Sequence, residues 1–374
     1  MPRFKINKSE LVKGLNAVAP AIIVNPKNPL MTNVLLEVKT EYLVLLGTNG
    51  DSSIRHFIPC NDDTGYICIE DGKIAVPGVY FTETIKTANK EELEIFDDGN
   101  SCRIKTGRGG MKLNCVDADK FPNISFEVPD VKLTMKKGDL SKAIDKTAFA
   151  VSNQFSRPVL TGVNLAIENN EMVMTATDSY RLSKVKIPVE CDSKISITIP
   201  SKSLQVPKKV MLSDANEDVT ISLDSYSAMF SDGNTTVKTT LLSGQYPETN
   251  RLIPQVYNHV LSFDKKEMIS MLNRGMFLKN DGYSIFKLHL SEEECIISSR
   301  NNEVGEFKDA LEKVNFEGKT LDISVNGKYI LDALKAFDGD TILCKFVGVM
   351  KPFIFIEPKN DSVLELTLPV KTYQ

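Results

Sequence analysis

Leu133-Thr134-Met135-Lys136-Lys137-Gly138-Asp139-Leu140 is the stretch that decides the fold, because the chain contains it in three related forms. A short strand-like run leads into a segment with the apolar spacing of an amphipathic helix. Phe4–Leu11 and Leu261–Met268 have the same arrangement. The last residues of the three stretches are 129 and 128 residues apart. A period of this length corresponds to a whole domain and is too long for a solenoid repeat.

The remainder of each unit also repeats. A second helix is predicted to begin near Pro77, Pro200 and Asn326, after a short strand in each copy. Two of the units close on similar phrases, at 119–123 and 244–248. The chain is therefore interpreted as three copies of one domain rather than as one large fold.

Short Pro-containing linkers predict the domain boundaries, which give domains at 1–129, 130–254 and 255–374. Each copy contains two helices and many strands. Hairpin turns are indicated at Asp98-Gly99-Asn100 and Asp232-Gly233-Asn234. This pattern predicts an α+β fold in which two helices per domain pack on antiparallel sheets.

Composition places few limits on function. Of 374 residues, 42% are hydrophobic and 25% charged, which is ordinary for a soluble protein. No apolar run reaches the roughly 18 residues of a membrane span, and Met1–Ile6 lacks the long apolar stretch of a signal peptide. The seven cysteines have no C-x-x-C spacing and are expected to be free thiols rather than metal or redox sites. We therefore expect a cytoplasmic protein with no membrane partner.

The predicted helices are basic although the chain is acidic. Their windows contain 16 Lys and Arg against 9 Asp and Glu, a net +7, whereas the whole chain carries −4. The windows are 7–18, 79–91, 135–147, 201–211, 263–275 and 326–338. One basic surface built from all three domains would attract phosphates without reading bases. The alternative is that these lysines simply occupy solvated helix faces.

The sequence offers no persuasive catalytic constellation. His56, His259 and His289 have neither a zinc spacing nor an H-E-x-x-H pattern. Gly318-Lys319-Thr320 lacks the earlier glycine of a P-loop and is interpreted as a turn, and 106–110 as a hairpin loop. We expect no catalytic residues, no metal and no cofactor.

Thr177–Leu182 is the strongest candidate for a binding surface. A strand is predicted to end there and to turn on Asp178-Ser179, so that Tyr180, Arg181 and Leu182 follow in sequence. An aromatic ring, a guanidinium and an aliphatic side chain suit a docking surface better than a catalytic centre. The corresponding turns of the other two copies lack the Tyr-Arg-Leu.

Four features together resemble the bacterial sliding clamps, the β subunits of DNA polymerase III. They are the threefold repeat, the Thr177–Leu182 turn, the phrase from Gly244–Pro247 to Arg251–Pro254, and the C-terminal Leu368–Tyr373. The resemblance covers the whole chain. It implies three copies of a DNA-clamp domain in each subunit and a head-to-tail homodimer that closes a six-domain ring around duplex DNA.

The resemblance also implies a function and a set of partners. The chain would be a non-catalytic subunit of the DNA polymerase III holoenzyme, a processivity factor that binds double-stranded DNA without regard to sequence. Its protein partners would be the DNA polymerase III catalytic subunit, the clamp loader and other proteins with a clamp-binding motif. These partners would insert a short peptide into a pocket between domains 2 and 3.

The pocket residues implied by the resemblance come from both domains. Aliphatic and proline walls would bury the apolar anchors of the peptide, while Arg181 and Arg251 would bond its polar atoms. The alternative is that the apolar residues only fill the space between two domains. The residues are Leu160, Thr177, Ser179, Tyr180, Arg181, Leu182, Pro247, Arg251, Leu252, Tyr283, Asn326, Tyr329, Met350, Phe353, Leu366, Leu368, Pro369, Val370 and Lys371.

Contacts to DNA and between subunits follow from the same comparison. DNA contacts are expected from two loops and from lysines of the basic helices, namely Asn25, Lys27, Lys136, Lys137, Gln154, Arg157, Lys202 and Lys208. The subunit interface would join Met111 and Leu113 of an edge strand to Phe277 and Leu278.

The chain departs from the common family pattern at three of these positions. Tyr180 stands where the family commonly has His, Lys371 where it has Arg, and Asn25 where an Arg often touches DNA. Two rival interpretations stay open: an enzyme that reuses the three-domain scaffold, and a clamp-like scaffold that no longer encircles DNA.

Overall fold

The computed structural model describes residues 1–23, 28–99, 101–106, 109–279 and 282–371. Within these ranges it has six α-helices, which are α1 Lys8–Val18, α2 Gly78–Thr87, α3 Lys137–Ala148, α4 Ser201–Met211, α5 Lys265–Gly275 and α6 Gly327–Lys335.

The strands of the first half of the chain are β1 Arg3–Asn7, β2 Asn33–Val38, β3 Tyr42–Thr48, β4 Ser52–Pro59, β5 Ile67–Glu70, β6 Gly72–Pro77, β7 Glu92–Asp97, β8 Ser101–Lys105, β9 Gly110–Asn114, β10 Val131–Lys136, β11 Gly162–Glu168, β12 Glu171–Thr177 and β13 Arg181–Pro188. Those of the second half are β14 Ile195–Pro200, β15 Asp218–Leu223, β16 Ser227–Ser231, β17 Thr235–Thr240, β18 His259–Asp264, β19 Ile285–Leu290, β20 Cys295–Asn301, β21 Gly305–Ala310, β22 Val314–Glu317, β23 Leu321–Asn326, β24 Thr341–Phe346, β25 Phe353–Glu357 and β26 Asn360–Thr367.

The helices form where the apolar spacing predicts them. In α1 the buried residues Leu11, Leu15 and Val18 lie on one face. The prediction for α2 was too long, since the helix ends at Thr87 rather than at 91. The carbonyl of Ala88 instead accepts a hydrogen bond from the Lys8 ammonium at 2.7 Å, which holds the chain outside the helix.

The first compact unit comprises Met1–Ser141 and Lys202–Leu241. It contains a five-stranded sheet in the order β5-β1-β7-β8-β9 and an eight-stranded sheet in the order β10-β15-β16-β17-β4-β3-β2-β6. The pairing of β17 with β4 joins strands that are far apart in sequence and places Thr235 opposite His56. Strands of the middle repeat therefore complete a sheet that the first repeat begins.

The second compact unit comprises Lys142–Ser201 and Leu242–Gln374. Its nine-stranded sheet has the order β14-β11-β12-β13-β26-β25-β24-β18-β22, and a four-stranded sheet has the order β21-β20-β19-β23. The antiparallel pairing of β13 with β26 places Leu182 opposite Leu366. The boundaries at 129 and 254 stay a prediction.

The α+β prediction is confirmed, with helices on antiparallel sheets.

Two of the predicted turns show why glycine is needed there. Gly99 and Gly233 have φ of +97° and +98°, a conformation that residues with a Cβ adopt only at a cost. Gly318, after β22, has φ of +130° and also belongs to a turn, as predicted for Gly318-Lys319-Thr320.

Candidate peptide-binding site

The turn between β12 and β13 is held by its own side chains. The Asp178 Oδ1 accepts hydrogen bonds from the backbone amides of Tyr180 at 2.9 Å and Arg181 at 3.0 Å. The Thr177 hydroxyl donates to the Arg181 carbonyl at 2.6 Å, and Ser179 has φ of +78°. These bonds satisfy the backbone of the turn, and the Tyr180 side chain lies outside it with 60% of its surface exposed.

Arg181 points inward, away from solvent. Its guanidinium donates from Nε to Asp178 at 3.0 Å, from NH1 to Asp332 at 2.8 Å and from NH2 to the Phe149 carbonyl at 2.7 Å. It also lies over the Tyr329 ring, 4.5 Å from the centroid. Three of the five N–H donors of Arg181 are thus bonded within the fold, and its predicted bond to a peptide stays a prediction.

An apolar cluster lies beside this turn where β13 pairs with β26. Leu182, Ile354 and Leu366 form its buried centre. Five partly buried apolar side chains pack against it, from Ile253, Tyr257, Ile356, Leu364 and Leu368. Leu160 and Phe353 are also buried. The strand pairing thus brings together Leu182 and Leu366, two of the aliphatic residues predicted for a pocket, and Leu368 packs against them.

Large apolar side chains are exposed among the remaining pocket residues. Tyr180, Leu252, Tyr283 and Met350 each expose more than half of their surface. Burial raises the pKa of Tyr329. The pKa is raised further by Asp178, Tyr283 and Tyr180 and lowered by Arg181, so these groups lie near one another. Exposed aromatic rings around a buried aliphatic floor are typical of a protein-binding site.

The C-terminal segment forms the other side of the site. The Leu368 amide donates to the Tyr180 carbonyl at 2.9 Å, and the Val370 amide donates to the Ser324 carbonyl at 2.7 Å. The chain from 368 to 370 therefore runs from the β12–β13 turn to β23. Pro369 and Val370 are half-buried and Lys371 is exposed.

Asn326 and Arg251 have different positions in this arrangement. The Asn326 side chain caps α6 by accepting hydrogen bonds from the amides of Lys328 and Tyr329, so its oxygen is used within the fold. Arg251 is exposed and forms an exposed pair with Glu248 at 3.5 Å, and Pro247 is exposed close to it in sequence. Among the two arginines predicted to contact a peptide, Arg251 is the one at the surface.

Three sequence profiles of one family match the chain from end to end. The profile of the DNA polymerase III beta subunit N-terminal domain matches residues 2–125, that of the central domain 134–248 and that of the C-terminal domain 250–371. The chain belongs to the DNA polymerase III beta subunit family. The three clamp domains predicted from the repeat are thereby confirmed.

Relatives over the whole length carry the name of sliding clamps. The curated "Beta sliding clamp" of Staphylococcus aureus (strain Mu50 / ATCC 700699) is 34% identical over 378 residues and covers 100% of both chains. The crystal structure of the DNA polymerase sliding clamp from Bacillus subtilis superimposes with a TM-score of 0.95 at 32% identity, again over 100% of both chains. The DNA polymerase III beta chain of Streptococcus pneumoniae TIGR4 has a TM-score of 0.94 at 29% identity over 100% of both chains.

Lys137 is buried and paired within the fold, which does not suit a contact with DNA. Its side chain is 5% exposed, and its ammonium bonds Glu217 at 2.6 Å and Asp232 at 3.2 Å. Burial alone would lower the pKa of Lys137, but the hydrogen bonds to Glu217 and Asp232 outweigh it and raise the pKa. The expectation for Lys137 is corrected: the residue is an internal ion-pair partner.

The other residues predicted to contact DNA are mostly at the surface. Gln154, Arg157 and Lys202 are exposed, and Lys208 is half-buried. Lys136 is exposed and pairs with Asp218 at 2.8 Å. Asn25 and Lys27 lie outside the described residues.

The predicted subunit-interface residues divide into exposed and buried members. Met111 and Phe277 are exposed, Phe277 by 66%. Leu278 is only 2% exposed and Leu113 only 9%, so the expected exposed Phe-Leu pair is reduced to Phe277. A Met and a Phe at the surface remain available for an apolar contact with a second copy.

The described ranges contain neither a metal-binding cluster nor a membrane-spanning helix. No group of three or more His, Cys, Asp and Glu there is placed to hold a metal ion. Within the same ranges, no helix has both the length and the apolar character to cross a membrane. The His56 ring bonds Thr235 at 2.9 Å and the His289 ring bonds Asp322 at 2.9 Å, as ordinary polar contacts between strands.

Sequence reasoning missed the internal partners of the site. Asp332 and Phe149 hold Arg181, and the buried pair of Ser183 and Glu365 lies next to it in the same strand pair. No local signal marks these residues, because Arg181 and Asp332 are 151 positions apart in sequence. From sequence alone, an Asp in a predicted helix is interpreted as solvated, because its partner is not evident.

Proposed function

We propose that this chain is a DNA sliding clamp whose partners bind a peptide pocket formed by the β12–β13 turn, the C-terminal segment and the start of α6. The observation that carries the pocket is the buried pair of Leu182 and Leu366 beside exposed Tyr180. A partner peptide would bury aliphatic anchors against the half-buried Leu368 and the cluster beneath it. Tyr180 and Tyr283 would cover its aromatic or aliphatic ends.

The exposed arginine gives the pocket its polar contact. Arg251 lies at the surface in a pair with Glu248, and such exposed pairs contribute about 0–1 kcal/mol, so the guanidinium can exchange this partner for a peptide at little cost. The replicative polymerase, the clamp loader and other proteins with a clamp-binding motif are the proposed partners. Because Tyr180 stands where the family commonly has His, we expect altered peptide preference rather than loss of the site.

The DNA-binding part of the proposal rests on enclosure. Two copies would join head to tail into a ring of six domains around duplex DNA in the cytoplasm. A ring holds DNA without strong contacts, and the excess of Lys and Arg over Asp and Glu in the helical windows supplies weak, sequence-independent attraction to phosphate. The chain would tether catalytic proteins and would have no catalytic activity itself.

Retention on circular DNA tests the enclosure. The clamp is loaded with a clamp loader onto nicked circular DNA and passed through a sizing column. We expect the clamp to remain with the circle and to leave once the DNA is cut to a linear form. Equal retention on both forms would favour ordinary phosphate binding instead.

Light scattering supplies the matching test for the subunits. We expect the mass of a dimer at micromolar concentration, and Phe277→Asp should shift it toward the monomer. The control is Phe155→Asp, because Phe155 is also highly exposed and belongs to no proposed subunit interface. A strict monomer that still binds partner peptides would support the alternative of a scaffold without encirclement.

A further inference from the structure

Glu365 is a buried carboxyl group in the middle of a sheet. It lies on β26 between β13, where it is opposite Ser183, and β25, where it is opposite Phe355. Only 2% of its surface is exposed, and Ser183 is fully buried. An ionised carboxylate in such a position is strongly disfavoured unless a cation pairs with it.

The hydrogen bonds of Ser183 show which form the carboxyl group takes. The Ser183 Oγ lies 2.5 Å from the carbonyl oxygen of Lys146 and 2.6 Å from the Glu365 Oε1. A hydroxyl group has one proton to donate, and a backbone carbonyl can only accept. The Ser183 proton therefore goes to Lys146, whose carbonyl belongs to the last turn of α3 and has no amide left in the helix. The second short contact then needs a proton on Glu365.

The charged groups around Glu365 are already paired. Arg181 bonds Asp178 and Asp332, and Lys146 pairs with Asp338 at 2.7 Å. A third carboxylate beside these pairs would have no cation of its own. Burial accordingly raises the pKa of Glu365 well above its ordinary value; the bond from Ser183 and the charges of Arg181 and Lys146 oppose the rise, and Asp332 adds to it.

We propose that Glu365 is a neutral carboxylic acid at neutral pH. Its proton bonds Ser183, and Ser183 in turn bonds the last turn of α3. This chain of hydrogen bonds positions the β13–β26 pair. The bridge joins three elements: Glu365 donates to Ser183, and Ser183 donates to Lys146. The same two strands present Leu182 and Leu366. Glu365 is thus a positioning residue for the apolar floor and touches no partner itself.

Infrared spectroscopy tests the proton directly. At pH 7.5 the wild-type protein is expected to show the C=O stretch of a protonated carboxyl group, and Glu365→Gln should lack it. Glutamine keeps the shape and donates through its amide, so the variant should fold. Asp361→Asn is the matched control, because it removes a highly exposed carboxylate from the same strand and should leave the band in place. Identical spectra for wild type and Glu365→Gln would overturn the proposal.

The pH dependence of unfolding gives a second readout. A carboxyl group whose pKa is raised by folding stabilises the folded state fully below its unfolded pKa and loses that contribution as the pH rises toward the folded pKa. The unfolding constant of the wild type, relative to Glu365→Gln, should therefore increase by up to about tenfold per pH unit above roughly pH 4.3. A ratio that does not change with pH would contradict a neutral Glu365.

The positioning role, which rests on the proposed function, is tested by peptide binding. The ratio of the affinity of Glu365→Gln to that of the wild type, for a polymerase-derived peptide, should be near one at pH 7. This ratio should rise at alkaline pH. A constant ratio would refute the positioning role while the infrared band still decides the proton. If neither protein binds the peptide at any pH, the proposed function fails rather than the assignment of the proton.

Discussion

Arg181 of β13 and Asp332 of α6 form a largely buried ion pair, with NH1 2.8 Å from Oδ2. Asp178 and the Phe149 carbonyl accept hydrogen bonds from Nε and NH2 of the same guanidinium. The pair joins a residue of the middle repeat to one of the third repeat inside a single compact unit. It fixes the β12–β13 turn, and therefore Tyr180, relative to α6.

Replacement of Arg181 by Ala should lower the free energy of unfolding, because the side chain bonds partners within the fold. In Arg181→Ala, Asp178 and Asp332 would lose their shared cation, but Asp332 would keep the Lys328 ammonium at 3.0 Å. The loss of these charged hydrogen bonds should therefore cost about 1.5–3 kcal/mol. Chemical denaturation that follows the unit containing β13 measures the loss. Arg251→Ala is the control, since its pair is exposed and its change should stay within about 0.5 kcal/mol. Equal stability of the two variants would contradict the internal role of Arg181.

Tyr180 is the sharper probe of peptide binding. Leu182 is buried, so Leu182→Asp would place a charge in the core and confuse folding with binding. Tyr180→Ala should weaken a polymerase-derived peptide by about tenfold or more, as expected for an aromatic residue at a binding centre. Calorimetric titration measures the affinity.

The matched control for Tyr180 is Tyr226→Ala, because Tyr226 is a still more exposed tyrosine, at 83%, in the other compact unit. Its peptide affinity and melting temperature should equal those of the wild type. If Tyr180→Ala and Tyr226→Ala bind the peptide equally well, the site lies elsewhere on the molecule.

Lys137 and Lys202 should behave differently toward DNA. Lys202 is exposed on α4, so Lys202→Ala should reduce the slope of log affinity against log salt concentration by about one, the value for one lost phosphate contact. Lys137→Ala should leave that slope unchanged and lower the free energy of unfolding by about 1.5–3 kcal/mol, because Asp232 loses a charged hydrogen-bond donor. Salt titration of clamp binding to short duplex DNA and denaturation measure the two effects. A salt slope that changes in Lys137→Ala would show that this lysine contacts DNA after all.

The sequence predicts the architecture better than the site. Repeated helical spacing places α1, α3 and α5 at corresponding points of the chain, because an amphipathic face is written in residues three and four apart. It says nothing of which strands pair across repeats, such as β17 with β4 or β13 with β26, because that choice depends on shape over the whole unit. Tyr180 and Arg181 are adjacent in sequence, yet one is exposed and the other holds Asp332. Such a difference arises from partners distant in sequence, and so does the burial of Lys137 and Glu365.

Acid should destabilise the first unit through His56. Its ring bonds Thr235 at 2.9 Å, which links β4 to β17. Burial lowers the pKa of His56, and the opposing charges of Asp232 and Glu10 only partly offset this. The unfolded chain therefore binds the proton more readily than the folded one, and stability decreases as the pH falls from about 6.5 through the lowered pKa, by at most about 1.4 kcal/mol per pH unit.

Denaturation of wild type and His56→Gln between pH 7.5 and pH 5 measures the difference, since glutamine can still bond Thr235 but does not titrate. The His289→Gln variant is the control, because His289 lies in the other compact unit, away from the β4–β17 pair. Parallel pH curves for wild type and His56→Gln would show that His56 does not cause the acid sensitivity.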